Sequence, residues 1–173
     1  TSSRRQRQMC IRDRYGGDGD DRISGGGSFS GDYYTAGGED IIYGGEGDDR
    51  IRAFGNSTIY GEGGNDKLYG GEKDDLLSGD NGNDILNGGN GNDVLYGGDG
   101  IDTAVFSSRN NRINLALSTA QNTGDGTDTL SSIENVNAGG GNDIVRGDSG
   151  ANKLNGGAGV DILVGNAGND ILY

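Results

Sequence analysis

Residues 61–105 read GEGGNDKLY, GGEKDDLLS, GDNGNDILN, GGNGNDVLY and GGDGIDTAV. These are five units of nine residues with no gap between them. Each opens on glycine, carries aspartate sixth and an apolar residue eighth, and glycine is usual at positions two and four. Composition alone does not hold a register over five units. A fixed period of this kind marks a repeat architecture.

The pattern extends in both directions. GGDGDDRIS (16–24) and GGEGDDRIR (44–52) fit every fixed position, and TAGGEDIIY (35–43) recovers the register after an off-pattern stretch at 25–34. AFGNSTIY (53–60) is one residue short and has Ser57 where aspartate is expected. Beyond Val105 the pattern stops. Residues 112–117, RINLAL, alternate polar and apolar as a half-buried strand does. TGDGTDTLS (123–131) brings the repeat back briefly, and a strand-like piece follows around Ile133 and Val136. The nonapeptides resume as AGGGNDIVR (138–146), GDSGANKLN with Asn152 in the aspartate place, GGAGVDILV and GNAGNDILY. The division expected is a repeat block at 16–105, a strand-containing insert at 106–137 that continues the solenoid, and a second block at 138–173. Tyr173 closes a unit with no capping repeat after it, so both ends are expected to be cut from a longer chain.

Residues 1–15, TSSRRQRQMCIRDRY, stand outside this pattern. They hold five arginines, the sole cysteine and the sole methionine. The string MCIRDR resembles a translated sequencing adapter, so the stretch is set aside as an artefact or disordered arm; the alternative is a natural basic arm. Without it, nine basic and 26 acidic residues leave a net charge of −17. Such acidity disfavours nucleic acid and anionic membranes and favours cations as partners. No apolar run is long enough for a membrane span. High glycine with 30% hydrophobic residues would suggest disorder, but the strict period overrides it.

One unit has a plain physical reading. Glycines at positions one, two and four allow a tight turn with exposed carbonyls. Positions seven to nine make a short strand whose eighth residue points inward. Two units complete a coil, so units two apart stack about 4.8 Å from each other. The predicted fold is all-β: a parallel β-roll, or β-solenoid, of nonapeptide repeats with an irregular insert. Leu68, Leu77, Leu86 and Leu95 would form two facing columns. Stacking also sets Asp66 over Asp84, Asp84 over Asp102, and Asp75 over Asp93. Two carboxylates about 5 Å apart repel by roughly 3 kcal/mol at an effective dielectric near 20. A bound cation is the missing term. Hard oxygen donors suit Ca²⁺, Mg²⁺ demands tighter octahedral geometry, and transition metals want His or Cys. The chain has no His, and its one Cys lies in the arm.

With these residues in view, GGNGNDVLY and its neighbours resemble the repeats-in-toxin (RTX) nonapeptide G-G-x-G-x-D-x-U-x. The resemblance implies a β-roll with several Ca²⁺ ions between turns. It implies carboxylate ligands at position six: Asp21, Asp40, Asp49, Asp66, Asp75, Asp84, Asp93, Asp102, Asp128, Asp143, Asp161 and Asp170. It also implies main-chain carbonyl ligands from positions two and four of one turn and one and three of its partner. Glu62, Gly64, Gly79 and Asn81 would serve the Asp66–Asp84 pair, and Gly71, Gly82, Gly88, Asn90, Gly97 and Asp99 the neighbouring ones. Ser57, Asn152 and Lys73, which replaces a fourth-position glycine, imply weakened or missing sites.

The family is exported by type I secretion and folds on meeting extracellular calcium, so the implied setting is a secreted bacterial protein. The chain contains no HExxH, no GxSxG and no histidine, and no catalysis is expected within it. The alternatives are the tail of an exported protease, lipase or alginate epimerase, or a repeat adhesin; few outward threonines rank an ice-binding face low. Tyr43, Tyr60 and Tyr96 share position nine of alternate units. They read as cross-strand packing ahead of a polysaccharide or cell-surface ligand. Arg50, Arg52 and Lys67 read as solvated, and Asp18, Asp48 and Asp99 as charge tuning or turn caps.

Overall fold

The computed structural model describes residues 39–173 in full and, before them, the strands at 13–15, 22–24, 28–29 and 32–33. Within these residues the chain is all-β. β1 (Asp13–Tyr15), β2 (Arg22–Ser24), β3 (Ser28–Phe29) and β4 (Asp32–Tyr33) come first. From there strands alternate between two walls: β5 (Glu39–Glu46), β6 (Arg50–Arg52), β7 (Asn56–Gly63), β8 (Lys67–Gly71), β9 (Leu76–Asn81), β10 (Ile85–Gly89), β11 (Val94–Asp99) and β12 (Thr103–Val105). Each strand begins at or near position seven, where the turn glycines give way to β-branched, aliphatic or long residues suited to a pleated surface.

The odd members stack as a parallel sheet in the order β1-β5-β7-β9-β11, and the even ones as β2-β6-β8-β10-β12. The register is the eighteen-residue coil: Leu77 pairs with Leu95, and Leu68 with Leu86. The chain is thus a parallel β-roll. β1 pairs with β5 through Asp13–Ile41 and Tyr15–Tyr43, so the roll reaches into the stretch set aside in the sequence.

Position eight fills the narrow interior. Ile42, Ile59, Leu77, Leu95 and Leu130 form one column, and Ile51, Leu68, Leu86, Ala104, Val136 and Leu154 the other, all at most 2% exposed. Each fully buried Leu or Ile contributes about 2 kcal/mol. The core is one side chain deep, so it has no second layer to draw on.

The insert departs from its reading. β13 (Arg112–Asn114) is a strand, but the alternation read to residue 117 ends there. The Asn114 side chain accepts from the Ala116 N–H and its carbonyl from the Leu117 N–H, which turns the chain and leaves Leu117 exposed. β14 (Gln121–Asn122) then pairs antiparallel with β15 (Thr127–Ser131), and β15 stacks on β11. β16 (Asn135–Asn137), β18 (Lys153–Asn155) and β20 (Ile171–Leu172) extend the even sheet. β13 instead opens a third parallel sheet with β17 (Ile144–Arg146) and β19 (Ile162–Val164). The nonapeptide register therefore runs straight through 106–114, FSSRNNRIN: Ile113 sits at position eight and pairs with Val145. Residues 106–111 carry no glycine or aspartate at the usual places, so the register itself was not legible there.

Candidate metal sites in the turns

The turns form two ridges, one along each edge of the roll. On the ridge leading into the even sheet, position six is held by Asp49, Asp66, Asp84 and Asp102. On the opposite ridge it is held by Asp40, Ser57, Asp75, Asp93 and Asp128. The three pairs expected from the sequence are brought together. The Asp66 N–H donates to Asp84 Oδ1 at 2.7 Å, Asp84 N–H to Asp102 Oδ1 at 2.8 Å, and Asp75 N–H to Asp93 Oδ1 at 2.9 Å. Asp49 and Ser57 donate to Asp66 and Asp75, each at 2.7 Å, and Asp93 to Asp128 at 2.8 Å. Asp143 donates to Asp161 and Asn152 to Asp170, both at 2.9 Å. Asp40 is buried beside these, and Asp21 lies outside the described residues.

One oxygen of each carboxylate is thus tied to the preceding turn. On six of them the other has no donor. Oδ2 of Asp66, Asp75, Asp84, Asp93, Asp102 and Asp143 is buried without a hydrogen-bond partner. Its surroundings are acceptors too. A Cβ placed on Gly70 would stand 2.5 Å from Asp75 Oδ2 and 2.6 Å from the Gly88 carbonyl of the next turn. Gly61 and Gly79 face Asp66 and Asp84 in the same way, opposite the carbonyls of Gly79 and Gly97. Glycine at position one leaves a small cradle, walled by a carboxylate oxygen on one side and a carbonyl oxygen on the other.

Burying a charged acceptor without a partner is costly. The carboxyls respond accordingly. Burial, then the neighbouring carboxylates, pushes Asp66, Asp75 and Asp93 up to about 7 and Asp102 to about 6, against an ordinary value of 3.8. Asp84, Asp128 and Asp143 are raised as well, burial again leading. Main-chain donors oppose the rise, but they reach only Oδ1.

A cation fits this arrangement, and its chemistry narrows which one. Among the described residues no three acidic, histidine or cysteine side chains gather at one point. A site here has carboxylate and carbonyl oxygens to offer, the donor set of Ca²⁺. Of the carbonyls named from the sequence, Gly79, Gly88 and Gly97 border the cradles directly. Those of Gly64 and Gly82 lie against the fourth-position glycine of the following turn. Gly71, Asn81 and Asp99 each accept one main-chain hydrogen bond, from Asn90, Gly64 and Gly82, which leaves a second lone pair. Glu62 takes the left-handed conformation of position two with φ 71°. Lys73 lacks the left-handed φ that Gly64, Gly82 and Gly91 share at position four, so its turn differs from theirs.

A family model for the RTX calcium-binding nonapeptide repeat matches residues 15–28, 34–53, 53–77, 69–104 and 137–172. The chain belongs to the RTX calcium-binding repeat family. A comparison with curated proteins found no match. RTX repeats bind calcium.

Several functional details were not read from the sequence. Position five carries a second ladder, running opposite to the first. Asp48 Oδ1 accepts from the Asn65 N–H at 2.7 Å, Asn65 Oδ1 from Asn83 at 3.0 Å, and Asn83 Oδ1 from Ile101 at 2.9 Å. Asp74, Asn92 and Thr127 repeat this on the other ridge. Positions five and six therefore tie each turn both forward and backward. The Asn-Asp pairs at 65–66, 83–84 and 92–93 were the available signal. Glu134 occupies position six through a shortened turn, its Oε2 accepting from the Asp102 N–H at 2.8 Å. Arg50 and Arg52 are not simply solvated: both guanidinium groups lie over the Tyr69 ring, at 5.6 and 5.1 Å. Tyr43 and Tyr60 stack at 5.1 Å, whereas Ser78 separates Tyr60 from Tyr96.

Proposed function

We propose that this chain is a calcium-dependent folding and stabilising module of a secreted bacterial protein, with no chemistry of its own. The observation that carries the reading is the unpartnered Oδ2 of Asp66, Asp75, Asp84, Asp93 and Asp102, each buried in a turn. A bound Ca²⁺ supplies the positive charge that these oxygens and the facing carbonyls lack. The aspartates at position six hold the ions in pairs, with the carbonyls of positions one to four as further ligands. The glycine at position one keeps the cradle open. The core column then closes only when the turns above and below it can approach.

Export fits the same physics. At low calcium the carboxylate ladder keeps the chain open, and at the higher calcium outside the cell it closes. Type I export of the parent protein suits a chain that folds after leaving the cell. The affinity of each site is that of extracellular modules, about 10⁻⁴–10⁻³ M. Binding is cooperative, because Asp84 serves the pair above it and the pair below. Calcium titration of the full chain, followed by far-ultraviolet circular dichroism and by solution scattering, tests the proposal. The expected result is a sigmoidal gain of β-structure with contraction of the chain. A chain already compact in chelator, or unchanged at millimolar calcium, would sink it.

A further inference from the structure

The rung formed by residues 106–111 solves the same electrostatic problem differently. Asn111 stands at position six and is fully buried. Its N–H donates to Asp143 Oδ1 at 2.7 Å, as an aspartate there would donate to its neighbour. Its side-chain amide has no counterpart on the aspartate rungs. Nδ2 lies 3.2 Å from the Ser107 carbonyl, 2.8 Å from that of Arg109, 2.7 Å from that of Ala138 and 3.3 Å from Asp143 Oδ1. In the nonapeptide register, Ser107 and Arg109 are positions two and four of the same turn. Ala138 is position one of the next turn, and Asp143 is its position six. Where an aspartate rung sets an oxygen with no donor against the next turn's carbonyl, Asn111 sets an N–H₂ group against it. Three carbonyls around the amide fix which end is nitrogen, since an oxygen there would face three acceptors.

Asn111 Oδ1 is buried without a partner, but on the neighbouring rung the protein supplies a donor to the carboxylate itself. The Thr123 hydroxyl donates to Asp128 Oδ2, the oxygen left bare on the aspartate rungs. Asp125 accepts from the Ser107 N–H at 2.8 Å and from the Ser107 hydroxyl, with Arg109 Nε 3.8 Å away. No residue of 106–111 is glycine, so this turn does not keep the open cradle of its neighbours.

We infer that the rungs of residues 106–111 and 123–128 form a calcium-independent seam in the roll, in which the Asn111 amide occupies the place a cation takes elsewhere. The inference rests on the calcium-binding reading of the aspartate rungs and adds where that binding stops. The seam joins the rungs of residues 39–105 to those of 138–173, so the two sets load calcium as separate cooperative groups.

Calcium counting on the full chain tests it, by equilibrium dialysis at saturating calcium with unfolding in urea alongside. Asn111→Asp restores the carboxylate pair with Asp143 among three carbonyls, and the variant is expected to take up one more ion per chain than the wild type. Asn111→Ala is expected to leave the count unchanged while lowering the folded-to-unfolded ratio by about fivefold or more through the lost donor. The inference is overturned if Asn111→Asp gains no ion, or fails to fold at saturating calcium, or if Asn111→Ala loses one. These outcomes are distinct from failure of the calcium reading itself, in which the wild-type chain would take up no ions at all.

Discussion

Asp84→Asn should stabilise the chain in chelator and destabilise it in calcium. Asp84 is the middle of three stacked carboxylates, with Asp66 before it and Asp102 after it. The amide keeps the same Oδ1 to accept the Asp66 N–H, and the Asp84 N–H still reaches Asp102, so the main-chain ladder survives. What changes is Oδ2, now buried and unpartnered. In its place an N–H₂ faces the Gly97 carbonyl side of the cradle. Without calcium, the substitution removes a charge with two like neighbours, each repelling by about 3 kcal/mol at 5 Å and an effective dielectric of 20. A gain of about 3 kcal/mol or more is expected. With calcium, two pairs lose a carboxylate. A site with a dissociation constant near 10⁻⁴ M contributes about 2.7 kcal/mol at roughly a hundredfold excess, so losing both costs about 5 kcal/mol. Urea unfolding followed by circular dichroism, in chelator and in about 10 mM calcium, reads both signs. A change of the same sign in the two conditions would refute the view that the stacked carboxylates are the calcium-responsive element.

The calcium-free chain should gain β-structure on acidification. Asp66, Asp75 and Asp93 sit near 7 and Asp102 near 6 when folded, against 3.8 ordinarily. The folded state therefore binds more protons between about pH 4 and 7, and its stability falls as pH rises through that window, by at most about 4 kcal/mol for each of Asp66, Asp75 and Asp93. Circular dichroism in chelator from about pH 8 to 5 should show ordering, and a flat signal would count against the burial of these groups. Gly70→Ala places a Cβ 2.5 Å from Asp75 Oδ2 and 2.6 Å from the Gly88 carbonyl, inside a cradle. It should cost about 1–3 kcal/mol in calcium and reduce the calcium count. An unchanged count and urea midpoint would show that the cradle is not the site.

The period of nine was enough to determine the roll, because each unit states its own structure. Glycines mark the turn, one apolar residue marks the core, and two units make a coil. The columns Leu77–Leu95 and Leu68–Leu86 and the pairs Asp66–Asp84 and Asp75–Asp93 follow from that arithmetic and are present in the structure. The residues that broke the pattern were the ones left to tertiary structure. Asn111, Thr123 and Glu134 have no signature in a unit, since what they do depends on the turn stacked against them. An asparagine becomes a substitute for a cation only when Ala138 and Asp143 arrive from 27 and 32 residues away. Which oxygen of each carboxylate is tied down and which is left bare was likewise settled by packing. The repeat specifies a donor and an acceptor in every turn, but only the stack decides whether the partner of a buried oxygen is a main-chain N–H, a side-chain amide or an ion.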